Sequence, residues 1–454
     1  MRPVRAQPDG EGHGTGVDVG ANDGGGGVTE PGVPSAALRL YRWNEPAVAA
    51  VALFALASGI GQFGVVASLG DVARTFGHLG HGATFADQVG LSGTVLGVGL
   101  AVIRLASLGG LPLASMADRW GRRPLLIGTC AAGLALTVVA AVSPTFWWFV
   151  ALFAVGRPFL SATLGVAQVG AVELTSTHQR TRAVALVAAG YAVGAGLTAV
   201  IHSMGEAALG FRGIFALAVV PLAFLPLVAR LAVEPDRFAR LSSSSSSRPV
   251  LGPVAKEHRN RLAVVCLLAF AISMITGPAN SLAFIYAQNY LHMSGIATSG
   301  MVLAAGAAGL GGLLLGRWMA DHWGRRPAVA LSVVAMGLCG TVAYSGSSWR
   351  LAIGYVAGVA AGAVFAPAGG ALANELFPTS VRASVTGWYL AAGVLGAAAG
   401  LVSFGAVAST GRSLNVAGGA AATVFLPMTL SVALLLLLPE TRGREPEELW
   451  PEPA

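Results

Sequence analysis

Charged side chains are scarce in this chain: Asp, Glu, Lys and Arg together make up 11% of its 454 residues. A water-soluble domain carries about 25%, because its surface must be hydrated. Most of this surface therefore faces something other than water. Lysine is rarer still. Lys256 is the one lysine and Glu257 follows it, so no phosphate-cradling loop, which needs Lys followed by Ser or Thr, can be written here. ATP hydrolysis by this chain is excluded. Cysteine is nearly absent. Cys130, Cys266 and Cys339 each lie in a different apolar block, without metal spacing or a disulfide framework, and read as small buried hydrophobes. No metal and no cofactor is expected.

What is present is apolar: 54% of the residues are hydrophobic, and the mean hydropathy is +0.69. These residues fall into blocks of about 20, the length at which a helix crosses ~30 Å of hydrocarbon. Continuous runs without period-2 alternation argue against a barrel. The blocks predict twelve transmembrane helices at 47–70, 91–114, 124–143, 146–170, 183–205, 213–233, 262–288, 298–318, 327–345, 351–372, 383–406 and 417–438. Residues 1–44, polar and Gly-rich as in Gly24-Gly25-Gly26-Gly27, read as a disordered cytoplasmic tail. They lack the short apolar core of a cleavable signal peptide. A polar stretch from Glu234 to Arg261, containing Ser242 to Ser247, reads as a cytoplasmic linker. It separates a bundle at 45–233 from one at 262–438, and residues 439–454 form a second tail. With both termini inside, external loops hold only Arg74, Arg212, Arg350 and Arg412, Arg104 and Arg157 lie deep within spans, and the other 22 of the 28 basic residues are in cytoplasmic segments or, as Arg230 and Arg317, at the cytoplasmic ends of spans. That asymmetry fixes the expected orientation in the cell (cytoplasmic) membrane.

The two halves repeat. Ala117-Asp118-Arg119-Trp120-Gly121-Arg122-Arg123-Pro124 returns 203 residues later as Ala320-Asp321-His322-Trp323-Gly324-Arg325-Arg326-Pro327. Glu173 and Arg180 return as Glu375 and Arg382, 202 residues on. Parallel six-helix repeats of this kind build transporters whose halves rock around a central site.

These residues carry a family resemblance. The doubled Asp-x-x-Gly-Arg-Arg resembles the signature loop of the major facilitator superfamily. Asn374-Glu375-Leu376-Phe377-Pro378-Thr379-Ser380-Val381-Arg382 and Pro439-Glu440-Thr441-Arg442-Gly443 resemble the motifs after helices 10 and 12 in its sugar-porter and organic-ion branch. Glu234-Pro235-Asp236-Arg237-Phe238 looks like an eroded partner after the sixth span. The first half departs from the pattern: Ala114 stands where Gly is usual, and Leu174-Thr175-Ser176-Thr177 replaces Leu-Phe-Pro-Thr. The resemblance covers residues 46 to 445. It implies an all-α fold of two six-helix bundles related by a pseudo-two-fold axis, with spans 1, 4, 7 and 10 lining the cavity.

Asp118, Arg122, Arg123, Glu173 and Arg180, with Asp321, Arg325, Arg326, Glu375 and Arg382, cluster at the cytoplasmic ends of helices. Asp118 could cap a neighbouring helix or pair with Arg180 or Arg182, and Asp321 with Arg382. Such pairs are expected to hold the cytoplasmic side shut and to break when it opens; otherwise the arginines only obey the positive-inside rule. Gly306, Gly309, Gly312 and Gly316, and Gly393, Gly396 and Gly400, form faces on which helices can approach, statically or sliding.

An ionised side chain at mid-membrane is a functional hypothesis by default. Arg104 precedes Asp118 by 14 residues and Arg157 precedes Glu173 by 16, roughly 21 Å or more along a helix, near the midplane. No Asp or Glu lies at comparable depth. The arginines are met either by an anionic substrate or by carbonyls, hydroxyls and water in a structural role. The resemblance favours Arg157, with Ser161 and Gln168 on its helical face. In the seventh span Gly277-Pro278-Ala279-Asn280-Ser281 is expected to interrupt the helix. With Ser273, Asn280, Tyr286, Gln288 and Asn289 this span resembles the broken, polar helix 7 of sugar porters. Gln62 is the polar residue of the first span; Trp388 and Tyr389 either stack on a ring or anchor at the interface.

Gln62 or Val66 stands where relatives often carry a proton-coupling Asp, and His202 is the histidine within a span. Uniport, exchange and symport through a shallower Asp71 or Glu206 all fit. The reading is a monomeric carrier, not an enzyme, for a small polar or anionic metabolite, with a coupling proton or exchanged ion as a further partner. Nucleic acid is not expected. A drug exporter is the alternative, although Gly190 to Gly196 lacks the proline of the exporter motif. A transporter-like sensor would need an output domain, and a membrane enzyme a cluster of His, Cys or carboxylates in the spans.

Overall fold

The computed structural model describes residues 40–81, 85–176, 178–235, 251–252, 258–378, 381–410 and 416–442. Among them twelve helices are long and apolar enough to cross a bilayer. They are α1 Pro46–Ala67, α2 Gly93–Trp120, α3 Arg122–Ala140, α4 Phe146–Leu174, α5 Arg180–Met204, α6 Leu209–Leu231, α7 Arg259–Ser281, α8 Gly295–His322, α9 Arg325–Ala343, α10 Ser348–Ala373, α11 Ser384–Thr410 and α12 Ala417–Leu437. Lipid offers the backbone no partners, so each apolar block closes its own hydrogen bonds as a helix. The expected spans and the observed helices coincide within a few residues, with informative exceptions.

The first exception is α7. It runs unbroken through Pro278 and ends at Ser281, and an α-turn, Ala283–Ile285, and a π-helix, Tyr286–Tyr290, follow. The interruption thus falls after the Gly-Pro pair, not at it. Proline frees the carbonyl four residues earlier, but the helix also gains external support: the Tyr344 hydroxyl donates to Pro278 O at 3.3 Å and Ala279 O at 3.0 Å. The second is α1, which turns at Ser68 and continues as a short helix, Leu69–Phe76. The third lies before α1. Tyr41 N donates to Leu174 O at 2.8 Å and Trp43 N to Gln179 Oε1 at 2.9 Å, so Tyr41 and Trp43 are tied to the first half rather than part of a disordered tail. Residues 1–39 lie outside the described ones. So does most of the expected linker, but Gly252 O accepts Trp388 Nε1 at 3.2 Å.

Packing repeats between the halves. α1 lies on α5 and α7 on α11; α5 meets α8 and α2 meets α11 across the halves. The glycine faces belong within one half: Gly312 and Gly316 back onto α10, and Gly396 and Gly400 onto α7. The halves meet at the end remote from the Arg-rich loops. There Thr94 N donates to Ser409 Oγ at 2.9 Å, Ser203 bonds Ser299, and the Phe63 and Phe284 rings meet edge-on at 5.7 Å. Asn289 packs against Gly70 on the same seam.

At the opposite end, each half folds its signature loop around one glycine. Gly121 has φ 94° and Gly324 φ 112°, backbone that L side chains rarely adopt. A β-carbon on Gly324 would also sit 2.9 Å from Glu440 Oε2. Gly324→Ala is therefore expected to cost about 1–3 kcal/mol in thermal unfolding. Gly306→Ala, with nothing within 4 Å of the new methyl, is expected to be neutral; equal melting of the two would remove the strain argument.

Candidate substrate cavity and charge clusters

Between the halves lies a cavity of about 350 Å³, lined by Gln62, Phe63, Arg104, Arg157, Tyr191 and Asn280 among others. A second lobe of about 320 Å³ shares Arg104 and Asn280 with it and adds Ser273, Thr276, Phe365 and Tyr389. Each is of the size of small-molecule sites. Helices α1, α2, α4, α5, α7, α10 and α11 all contribute, so the expected four-helix lining is too narrow. Arg104, which the resemblance placed second, faces both lobes.

Local sequence explains why the arginines sit here. Arg157 precedes Pro158 inside α4. Arg104 precedes a 3-10 turn, Ser107–Gly109, in α2, with Ser107 Oγ donating to Arg104 O at 2.6 Å. Irregular backbone at membrane depth is tolerated where it borders a cavity. Arg157 is 9% exposed. Its Nη1 reaches Gln62 O at 3.5 Å, and its buried Nε has no hydrogen-bond partner. Gln62 Nε2 donates to Ser58 Oγ at 2.7 Å, and Ser58 Oγ to Leu160 O at 2.9 Å. Among the described residues no Asp or Glu lines either lobe. Two guanidiniums thus share one space without a carboxylate, although a charge at mid-bilayer costs about 2.5 kcal/mol or more.

Several expected contacts lie elsewhere. Ser161 faces Gly110 of α2, and Gln168 is exposed and outside the cavity lining. Tyr286 is core: its hydroxyl donates to Tyr344 O and accepts from Gly346 N, both at 3.0 Å. Gln288 and Asn289 are buried at the closed end, where Gln288 Nε2 and Asn289 Nδ2 lack partners. The π-helix after Leu282 turns these three away from the cavity. Missed in the sequence were Tyr191, Tyr355 and Phe63. A tyrosine within an apolar span was the available signal for the first two, since a hydroxyl at that depth needs a partner.

The charged loops form two matching clusters. Arg122 Nε and Nη2 donate to the Glu173 carboxylate, each at 2.8 Å, and Nη2 lies 2.8 Å from Asp118 Oδ1. Arg325 Nη2 reaches Glu375 Oε1 at 3.3 Å and Nη1 lies 3.6 Å from Asp321 Oδ1. Asp118 and Asp321 therefore pair with the arginine four residues on, not with Arg180, Arg182 or Arg382. The turn at the signature glycine brings that arginine back, and Arg382 Nε instead donates to Phe377 O at 2.9 Å. Glu234 and Glu440 cap the next helix in each half. Glu234 accepts from Arg122 N and Arg123 N at 2.6 and 2.8 Å, and Glu440 from Arg325 N and Arg326 N at 2.8 and 3.0 Å. A carboxylate on free N–H groups at a helix start is favourable. Glu234 thus belongs to the first bundle rather than to a linker. Thr441 Oγ1 completes the second cluster by donating to Glu375. Each of these pairs lies within one half and is formed while the halves are sealed at the other end.

Twelve apolar helices in two repeated halves around a central cavity define a membrane carrier. The model of the Major Facilitator Superfamily matches residues 49–340 and 307–453. The chain belongs to that superfamily and is a secondary transporter of its type. It is similar to the probable 4-methylmuconolactone transporter of Cupriavidus pinatubonensis, 23% identical over 78% of this chain and 82% of that one. It is also similar to the 3-(3-hydroxy-phenyl)propionate transporter of Escherichia coli, 28% identical over 74% and 82%. Among solved structures, the inward-open xylose transporter XylE of E. coli matches with a TM-score of 0.65 at 18% identity, covering 89% of this chain and 97% of that one. The human organic anion transporter MFSD10 matches at 0.59 and 16%, covering 85% and 99%.

Proposed function

We propose that this protein carries a small organic carboxylate across the cytoplasmic membrane by alternating access. One observation carries the reading: Arg104 and Arg157 line one central space in which, among the described residues, no acidic side chain answers them. A carboxylate accepts two hydrogen bonds from a guanidinium fork, and the partnerless Arg157 Nε is a donor waiting for one. The rings of Phe63, Tyr355, Phe365 and Tyr389 suit an apolar or aromatic body on that carboxylate. The name of the phenylpropionate carrier, a 28% identical relative, supports the same class.

The Arg-rich loops are assigned to the cytoplasm by the positive-inside rule. The seam at Thr94–Ser409 and Ser203–Ser299 is then the closed outer gate, and the state described faces inward. In this reading the two charge clusters brace each half as a rigid unit, and the halves move against one another. Reconstituted protein is expected to take up 3-phenylpropionate, and not its methyl ester or xylose. Uptake of xylose with no response to the acid would overturn the assignment and move recognition to Asn280, Ser273 and Thr276.

A further inference from the structure

The central cavity holds more positive charge than one carboxylate cancels. Arg104 on α2 and Arg157 on α4 line its first lobe, and among the described residues no other charged side chain lines either lobe. Arg157 Nε has no hydrogen-bond partner. No hydrogen bond or ion pair among the described residues engages the Arg104 guanidinium either. While the cavity is open to one side, water hydrates the exposed part of both cations. When it closes around a substrate most of that water is lost, and a guanidinium left without an anion bears its desolvation cost uncompensated. A monocarboxylate answers one of the two.

The two arginines also reach different space. Arg157 lines the first lobe and not the second, beside Gln62, whose amide is already committed to Ser58. Arg104 stands where the lobes join and borders both. The second lobe lies against α7, α10 and α11, and Ser273, Thr276 and Tyr389 add hydroxyls there to the Arg104 fork. Phe365 and the Tyr389 ring give the same lobe an apolar wall. A ligand long enough to fill both lobes therefore meets a cation near each end, with aromatic surface between.

We propose, resting on the carboxylate reading above, that the preferred substrate is a dianion. It is an organic acid whose two carboxylates are held apart by an apolar or aromatic body, the first met by Arg157 and the second by Arg104. Such a ligand brings the charge of the closed cavity to zero. A monocarboxylate such as 3-phenylpropionate binds on Arg157, leaves Arg104 unanswered and is the weaker ligand.

The test is titration calorimetry of the purified full chain at about pH 7, where free carboxylates are ionised. Three ligands are compared: 3-phenylpropionate, 3-(4-carboxyphenyl)propionate and 3-(4-carbamoylphenyl)propionate. The last matches the dicarboxylate in size but carries a neutral amide in place of the second charge. The dicarboxylate is expected to bind about tenfold tighter than either of the others, the scale of one hydrogen bond to a charged group. Arg104→Gln should abolish that advantage, and Arg104→Lys, which keeps the charge without the fork, should retain part of it. An amide bound as tightly as the dicarboxylate would overturn the proposal, and so would an advantage that survives Arg104→Gln. The comparison in the parent protein is read first and decides by itself whether the second charge matters, whether or not a variant folds. The two readings fail separately. Binding of 3-phenylpropionate with no gain from the second carboxylate removes the dianion and keeps the carboxylate. Binding of none of the three removes both.

Discussion

Arg157→Gln is expected to weaken carboxylate binding about 100-fold and to abolish measurable uptake. Arg157 is the more deeply buried of the two cavity arginines, and its Nε has no partner within the protein. A hydrogen bond to a charged group contributes about 1.5–3 kcal/mol, and truncating one member of a buried charged pair costs about 2–5 kcal/mol. These ranges bracket the two decades expected, since each 1.4 kcal/mol is tenfold. Arg157→Lys keeps the charge but loses the planar fork, so an intermediate loss is expected. Arg104→Gln removes a half-buried charge that borders both lobes, and a smaller loss is expected. Titration calorimetry of purified protein gives the affinity and liposome uptake gives the transport. Unchanged affinity in Arg157→Gln would make the residue a structural donor to Gln62 O and take the anion reading with it.

Hydropathy made the twelve spans legible because lipid leaves the backbone one economical choice, the helix. The repeat made the symmetry legible, since Asp118 and Asp321, or Glu173 and Glu375, needed only counting. Depth could also be counted, which set Arg104 and Arg157 well inside their helices, and both line the cavity. Rotation about the helix axis could not. Tyr286, Gln288 and Asn289 follow α7 at the expected depth. The π-helix Tyr286–Tyr290, invisible to a 3.6-residue period, holds Tyr286 in the core against Tyr344 and buries Gln288 and Asn289 outside the cavity lining. Pro278 looked like a break, but support from Tyr344, 66 residues on, lets the helix continue. Partner choice was equally hidden. Glu234 and Glu440 stood out only as motif letters. Their role as caps over α3 and α9 depends on contacts across 112 and 115 residues, which no local pattern specifies.

The two charge clusters look alike in sequence, yet they are expected to respond unequally to loss of their arginine. Arg122→Gln should destabilise the protein by about 3–5 kcal/mol, the cost of stranding one member of a buried pair. Its side chain is 9% exposed and that of Glu173 15%, and it holds that carboxylate through two bonds of 2.8 Å. Removal leaves Glu173 poorly hydrated without that arginine. Arg325→Gln should cost only about 1–2 kcal/mol, nearer the value of a partly exposed contact. Here the arginine is 18% exposed and the glutamate 29%. The contact with Glu375 is longer at 3.3 Å, Arg325 Nε already lacks a partner, and Thr441 remains to donate to Glu375. Thermal unfolding in one detergent measures both variants side by side, with Glu173→Gln and Glu375→Gln as the reciprocal pair. A double variant, Arg122→Gln with Glu173→Gln, should recover part of the loss, because the stranded charge goes with its partner. Equal losses from the two arginines would mean that burial does not set the difference. The first half would then owe no more of its rigidity to this cluster than the second half does.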